Sequence, residues 1–104
     1  MNNFMIQMNY TQAMEQADEL SRVAVNVKNL SEEDVAKLMM DIGSCWEGEN
    51  ACAYIAKVNI LKNNLEKTAA DIEKTAETIR MMATNIYNAE MEAQRIADVR
   101  TYSN

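Results

Sequence analysis

The chain has no proline and no histidine, only two glycines, and one tryptophan and one phenylalanine among its 104 residues. Without proline, no helix is broken from within by a missing N–H or a ring clash. Without histidine, the usual general base near neutral pH and the commonest metal-ligand sets are missing. Cysteine is scarce too: Cys45 and Cys52 lie seven positions apart, a spacing that matches neither a zinc site nor a redox motif. A disulfide between them is left open, since spacing alone does not fix its geometry. The carboxylates of Glu32, Glu33 and Asp34 are consecutive, so on a helix they point around the axis and not into one pocket. These absences predict a non-enzymatic protein with no cofactor, no metal and no small-molecule substrate. No apolar run approaches the roughly 18 residues needed to cross a bilayer. The first residues, Met1 to Met8, lack a basic start and an unbroken apolar run, so no secretory signal peptide is expected. On the residues alone, the chain reads as cytoplasmic.

What is present points to helix. Hydrophobic residues make up 48% and charged ones 25%, which excludes both a disordered tail and a membrane protein and suits a single domain over residues 1–104. The net charge is −6 with a pI of about 4.6, which argues against nucleic acid or an anionic membrane surface as partner. The charge is uneven: residues 1–50 hold nine acids and three bases, a net of −6, whereas residues 51–104 hold seven of each. A basic partner is therefore expected along the first half.

Gly43 and Gly48 bracket Ser44-Cys45-Trp46-Glu47, and two residues that tolerate unusual backbone angles so close together mark a sharp reversal at 43–48. Ahead of it, Ile6, Tyr10, Ala13, Ala17, Leu20, Ala24 and Val27 alternate in steps of four and three, the rhythm of a helix packed on a helix. The next steps fall on the polar Ser31 and Asp34. The rhythm resumes at Val35, Leu38, Ile42 and Cys45, eight residues after Val27 and not seven, which turns the apolar stripe by about 100°. Ser31-Glu32-Glu33-Asp34 also has the form of a capping box. The spacing predicts a kink or short break at about Asn29 to Ser31, with a continuous helix and a local adjustment as the alternative. The first arm thus spans about 5–42. After the reversal, a second helix over about 49–100 has heptad a and d positions at Ala51, Tyr54, Val58, Leu61, Leu65, Thr68, Ile72, Thr75, Ile79, Met82, Ile86, Ala89, Ala93 and Ile96, twelve of the fourteen apolar. Alanines beside them at Ala69, Ala76, Ala83 and Ala97 widen the stripe and admit a close neighbour.

The expected architecture is all-α, an antiparallel helical hairpin. At 1.5 Å per residue the first arm reaches about 55 Å and the second about 78 Å. Ile6 then falls beside Ile86, and residues 87–104 extend past the first arm with Ala89, Ala93 and Ile96 continuing the stripe. Two helices alone enclose little core, so pairing of two hairpins into a four-helix bundle is expected. Ala69, Ala76, Ala83, Ala89, Ala93 and Ile96 are the predicted partner surface. Nine methionines, with Met39-Met40 and Met81-Met82 adjacent, suit surfaces that meet more than one partner or fill a loosely packed bundle.

Trp46-Glu47-Gly48 at a central turn between two heptad helices, in an acidic chain of this length, closely resembles the WXG family. These are small helical-hairpin proteins of type VII secretion related to the early secreted antigen of mycobacteria. The resemblance implies a WXG turn at Trp46 and Gly48, homodimers or heterodimers with a related WXG or LXG helical protein, and folded export through a membrane secretion ATPase. It therefore implies a protein that is cytoplasmic before export and extracellular afterwards, without a cleaved signal peptide. The family's export signal near the end of the second helix is often a tyrosine followed four residues later by an acid. Here Met91 stands four after Tyr87, so that strict form is absent. The firmicute-type pattern is met by Ile86, Glu90, Ala93 and Ala97, and the resemblance implies that Ile86, Tyr87 and Glu90 form much of the face read by the secretion machinery. Without it, Ile86 reads as core and Glu90 as solvated surface. Two alternatives remain at this stage: a dedicated companion of a larger LXG-type secreted toxin, and a cytosolic coiled-coil scaffold unrelated to secretion.

Overall fold

A computed structural model describes residues 2–45 and 48–103, leaving aside the side chains of Cys45, Tyr102 and Ser103. The described residues are helical almost throughout and include no strand, so the fold is all-α. Helix α1 spans Asn3–Asn29, a π-helical segment follows over Leu30–Val35, α2 spans Ala36–Cys45 and α3 spans Glu49–Ser103. The first helix begins where Asn2 caps it: its Oδ1 accepts a hydrogen bond from the Met5 N–H at 2.8 Å, satisfying one of the amides that a helix start leaves open.

Contacts divide the chain into two compact units, residues up to Leu20 with those from Lys74 onward, and Ser21–Glu73. In the first unit the opening turns of α1 pack antiparallel on the second half of α3. Tyr10 meets Tyr87 with ring centroids 4.8 Å apart, and two turns along, Arg80 reaches back to Asp18 at 3.0 Å. Ile6 is 1% exposed, the largest side chain fully enclosed there, and Ala17, Ala76 and Ala83 complete the contact. Alanine on both sides lets the backbones approach closely, which explains why so little side-chain volume suffices.

In the second unit the core is Val35, Ile42 and Val58, with Met39, Ile55 and Leu65 packed on it. Gly43 sits in the last turns of α2, where an added Cβ would meet only the Ile55 Cδ1 at 3.8 Å. Gly48 opens α3 at φ +93°, in the region that side-chain-bearing residues avoid, and its carbonyl accepts the first helical bond from the Cys52 N–H at 3.2 Å. Glu49 lies in the first turn, where its charge suits the positive helix end. Helix thus continues to Cys45, three residues beyond the expected end of the first arm, and of the two glycines Gly48 has a positive φ whereas Gly43 is helical. Trp46 and Glu47, at the centre of the expected turn, lie outside the described residues.

The expected break at Asn29 to Ser31 is replaced by the alternative, a continuous helix with a local adjustment. Asn29 keeps right-handed helical angles, φ −63° and ψ −38°. A π-helix closes i to i+5 bonds and so holds one residue more than an α-turn. The supernumerary residue between Val27 and Val35 is absorbed in Leu30–Val35 without breaking the rod. Ser31, expected to interrupt the stripe, occupies it: the residue is 0% exposed and its hydroxyl donates to the Lys28 carbonyl at 2.7 Å. A buried hydroxyl with a partner at that distance costs little.

Candidate interaction surface

The buried residues of α3 trace a line that differs from the heptad a and d positions. They are Ala51, Val58, Ala69, Ala76 and Ala83, the a and e positions of the heptad, followed by the half-buried Tyr87, Glu90, Met91 and Gln94. The apolar pattern repeats every seven, and a heptad on a helix of 3.6 residues per turn drifts by about 20° per repeat. Within the first unit the buried line runs through Ala76 and Ala83, and the heptad stripe at Met82 and Ile86 lies off it. Its later members face outward for that reason: Met82 is 56%, Ile86 54% and Ile96 39% exposed, and Ala89 and Ala93 are exposed with them.

This geometry sorts the expected partner surface into two groups. Ala69, Ala76 and Ala83 are 5%, 0% and 8% exposed and are buried by packing within the chain. Ala89, Ala93 and Ile96 remain on the outside. The expected export residues divide as well. Ile86, Tyr87 and Glu90 line one small cavity of about 140 Å³ together with Ile6, Asn9, Tyr10, Ala13 and Ala83. Ala93 and Ala97 are exposed one and two turns further on and do not line it. The neighbourhood of Ile6 and Ile86 agrees with the length argument. The participation of Asn9 was not anticipated, because a polar residue one step off the stripe gives no periodic signal.

Sequence reasoning also missed a groove of about 690 Å³ in the second unit, bounded by Ser21, Ala24, Val25, Lys28 and Glu32 on one side and Glu66, Ala69, Ala70 and Glu73 on the other. Small side chains at Ala24, Ala69 and Ala70 leave this space. Its rim holds ion pairs within each helix, Lys28 with Glu32 at 4.0 Å and Lys62 with Glu66 at 2.6 Å.

Near the end of α3, Arg95 grips Glu92 through two nitrogens, at 2.6 and 3.0 Å. The hydrogen bond and the charge of Arg95 hold the Glu92 carboxyl below its ordinary range, and Glu92 raises Arg95 in turn. Cys52 is exposed and carries a free thiol. Among the described residues, no group of histidine, cysteine and carboxylate side chains could hold a metal ion, and no helix is long and apolar enough to cross a membrane. No known family model, curated protein or solved structure matches this chain.

Proposed function

We propose that this is a non-enzymatic helical-hairpin protein of the WXG kind, exported folded by a type VII secretion system as a dimer of hairpins. The observation that carries the reading is Gly48 at φ +93° completing a Trp-x-Gly sequence between two long helical arms. A second support is the outward stripe of Met82, Ile86, Ala89, Ala93 and Ile96, an uncovered helix-packing face of the sort that pairing hides. A third is the single patch formed by Ile86, Tyr87 and Glu90, the residues that the resemblance assigns to recognition by the secretion ATPase. In this reading the pair is the exported unit, and the ATPase engages the end of α3.

Intact chain in the culture medium, lost when the secretion ATPase is inactivated, tests the proposal. Ile86→Ala and Glu90→Ala should each reduce export while the purified variants stay helical. Export of both at the parental level, or release that ignores the ATPase, would refute it. The exposed Met40 and Met81, at 75% and 64%, favour a second reading as companion of a larger LXG-type toxin, since flexible thioethers adapt to an unlike partner. Co-purification with a large helical protein encoded nearby would distinguish the companion from the self-pairing substrate.

A further inference from the structure

A thioether is oxidised where solvent reaches its sulfur, and four of the described methionines are open to it. Met5, Met40, Met81 and Met82 are 39%, 75%, 64% and 56% exposed. The other described methionines are half-buried, Met39 against the core of Val35, Ile42 and Val58. Of the four exposed ones, Met82 alone belongs to the outward stripe that continues through Ile86, Ala89, Ala93 and Ile96. Met81 stands one position earlier, about 100° round the same helix. Two adjacent thioethers thus meet the same solvent, one on the stripe and one beside it.

We propose that Met82 is an oxidation site that decides whether the stripe can be covered, with a peroxide as the oxidant. The Met82 sulfur lone pair attacks one peroxide oxygen, an S–O bond forms and the O–O bond breaks. Sulfur is oxidised to the sulfoxide while the peroxide is reduced, and the proton of the transferred oxygen passes to the departing hydroxide, which leaves as water. An apolar side chain becomes one with a strong hydrogen-bond acceptor. Covered by a second helix, that acceptor is buried among apolar side chains with no donor, which is unfavourable. A pair of copies related by a two-fold axis buries one such group from each chain, so the penalty enters twice. Covering and oxidation therefore compete for one sulfur: the pair shields it, and the sulfoxide opposes the pair. Met81, off the stripe, is oxidised without this consequence. The inference rests on the pairing in the function proposed above and adds a chemical control to it.

Sedimentation equilibrium of the full chain before and after mild hydrogen peroxide, with each sulfoxide located by peptide mass spectrometry, tests the assignment. Oxidation should weaken self-association by roughly tenfold or more with helicity unchanged, and methionine sulfoxide reductase should restore it. Met82→Leu should pair like the parent and ignore peroxide, Met82→Gln should pair weakly without it, and Met81→Leu should remain sensitive. Below the pairing concentration Met81 and Met82 should oxidise at similar rates, and well above it Met82 should slow by about fivefold or more relative to Met81. A chain that pairs equally well with Met82 fully oxidised, or a Met82→Leu variant as sensitive as the parent, would overturn the proposal and leave the pairing standing. A parent chain that never pairs would overturn the pairing itself, and this control with it.

Discussion

Deleting one residue from the middle of a helix is ordinarily ruinous, because everything downstream turns by about 100°. Glu33 is an exception that follows from the π-helical segment. Were Leu30–Val35 an ordinary α-turn, removing Glu33 would swing Val35, Met39 and Ile42 off the core they form with Val58. At about 1.5–3 kcal/mol for each large apolar side chain returned to water, that loss would be about 4.5–9 kcal/mol. A small domain has little more than this in total. The actual spacing runs Ala24, Val27, Ser31, Val35, Met39, Ile42, one residue too many for the seam. Without Glu33 the same side chains follow at steps of three, four, three, four and three, which a plain α-helix meets. The deletion should therefore leave stability within about 1 kcal/mol of the parent, as for a change that disturbs no packing. The comparison is deletion of the exposed Glu77 in α3, where no π-turn absorbs the slip and a loss of about 3 kcal/mol or more is expected. Urea unfolding followed by helical circular dichroism, at one fixed protein concentration, measures both. If the two deletions are equally damaging, the account of the π segment is wrong.

Three further outcomes follow. Gly48→Ala should cost about 1–2 kcal/mol for the positive φ alone, because no atom lies within 4 Å of the added methyl, whereas Gly43→Ala should stabilise by up to about 1 kcal/mol within its helix. Equal effects in thermal unfolding would contradict the assignment of the turn. Ala76→Leu, at a position 0% exposed, should destabilise by about 1–3 kcal/mol through overpacking, while Ala93→Leu on the outward stripe should be near neutral in dilute solution. The Glu92 carboxyl should titrate below the ordinary carboxylate range in carbon NMR and return to it in Arg95→Ala. Its contribution to stability is present above the unfolded pKa and vanishes as pH falls through the lowered folded one. An unchanged titration in Arg95→Ala would show that the pair does not persist in solution.

Much of the architecture was legible because heptad periodicity is a direct image of helix packing. Two helical arms and the adjacency of Ile6 to Ile86 came from spacing and length. The choice between a and d or a and e as the inner line was not legible, since it depends on whether α3 supercoils, and the alanines at Ala69, Ala76 and Ala83 suit either side of the seam. Ser31 was misread for a different reason: a hydroxyl looks polar in sequence, but its bond to the Lys28 carbonyl lets it sit at the centre of the contact. The π-turn left a trace as the eight-residue step from Val27 to Val35, although a step of eight signals equally a kink or an insertion. As for the surface, its composition was visible and its exposure was not, because the 20° drift per heptad matters only once the inner line is known.

In the proposed function a second polypeptide completes the apolar stripe at the end of α3. Light scattering of the purified chain over a wide concentration range tests it most directly. The mass should climb from one chain of 11.8 kDa toward two as concentration rises. A mass fixed at one chain throughout, unaltered by any helical companion, would contradict it.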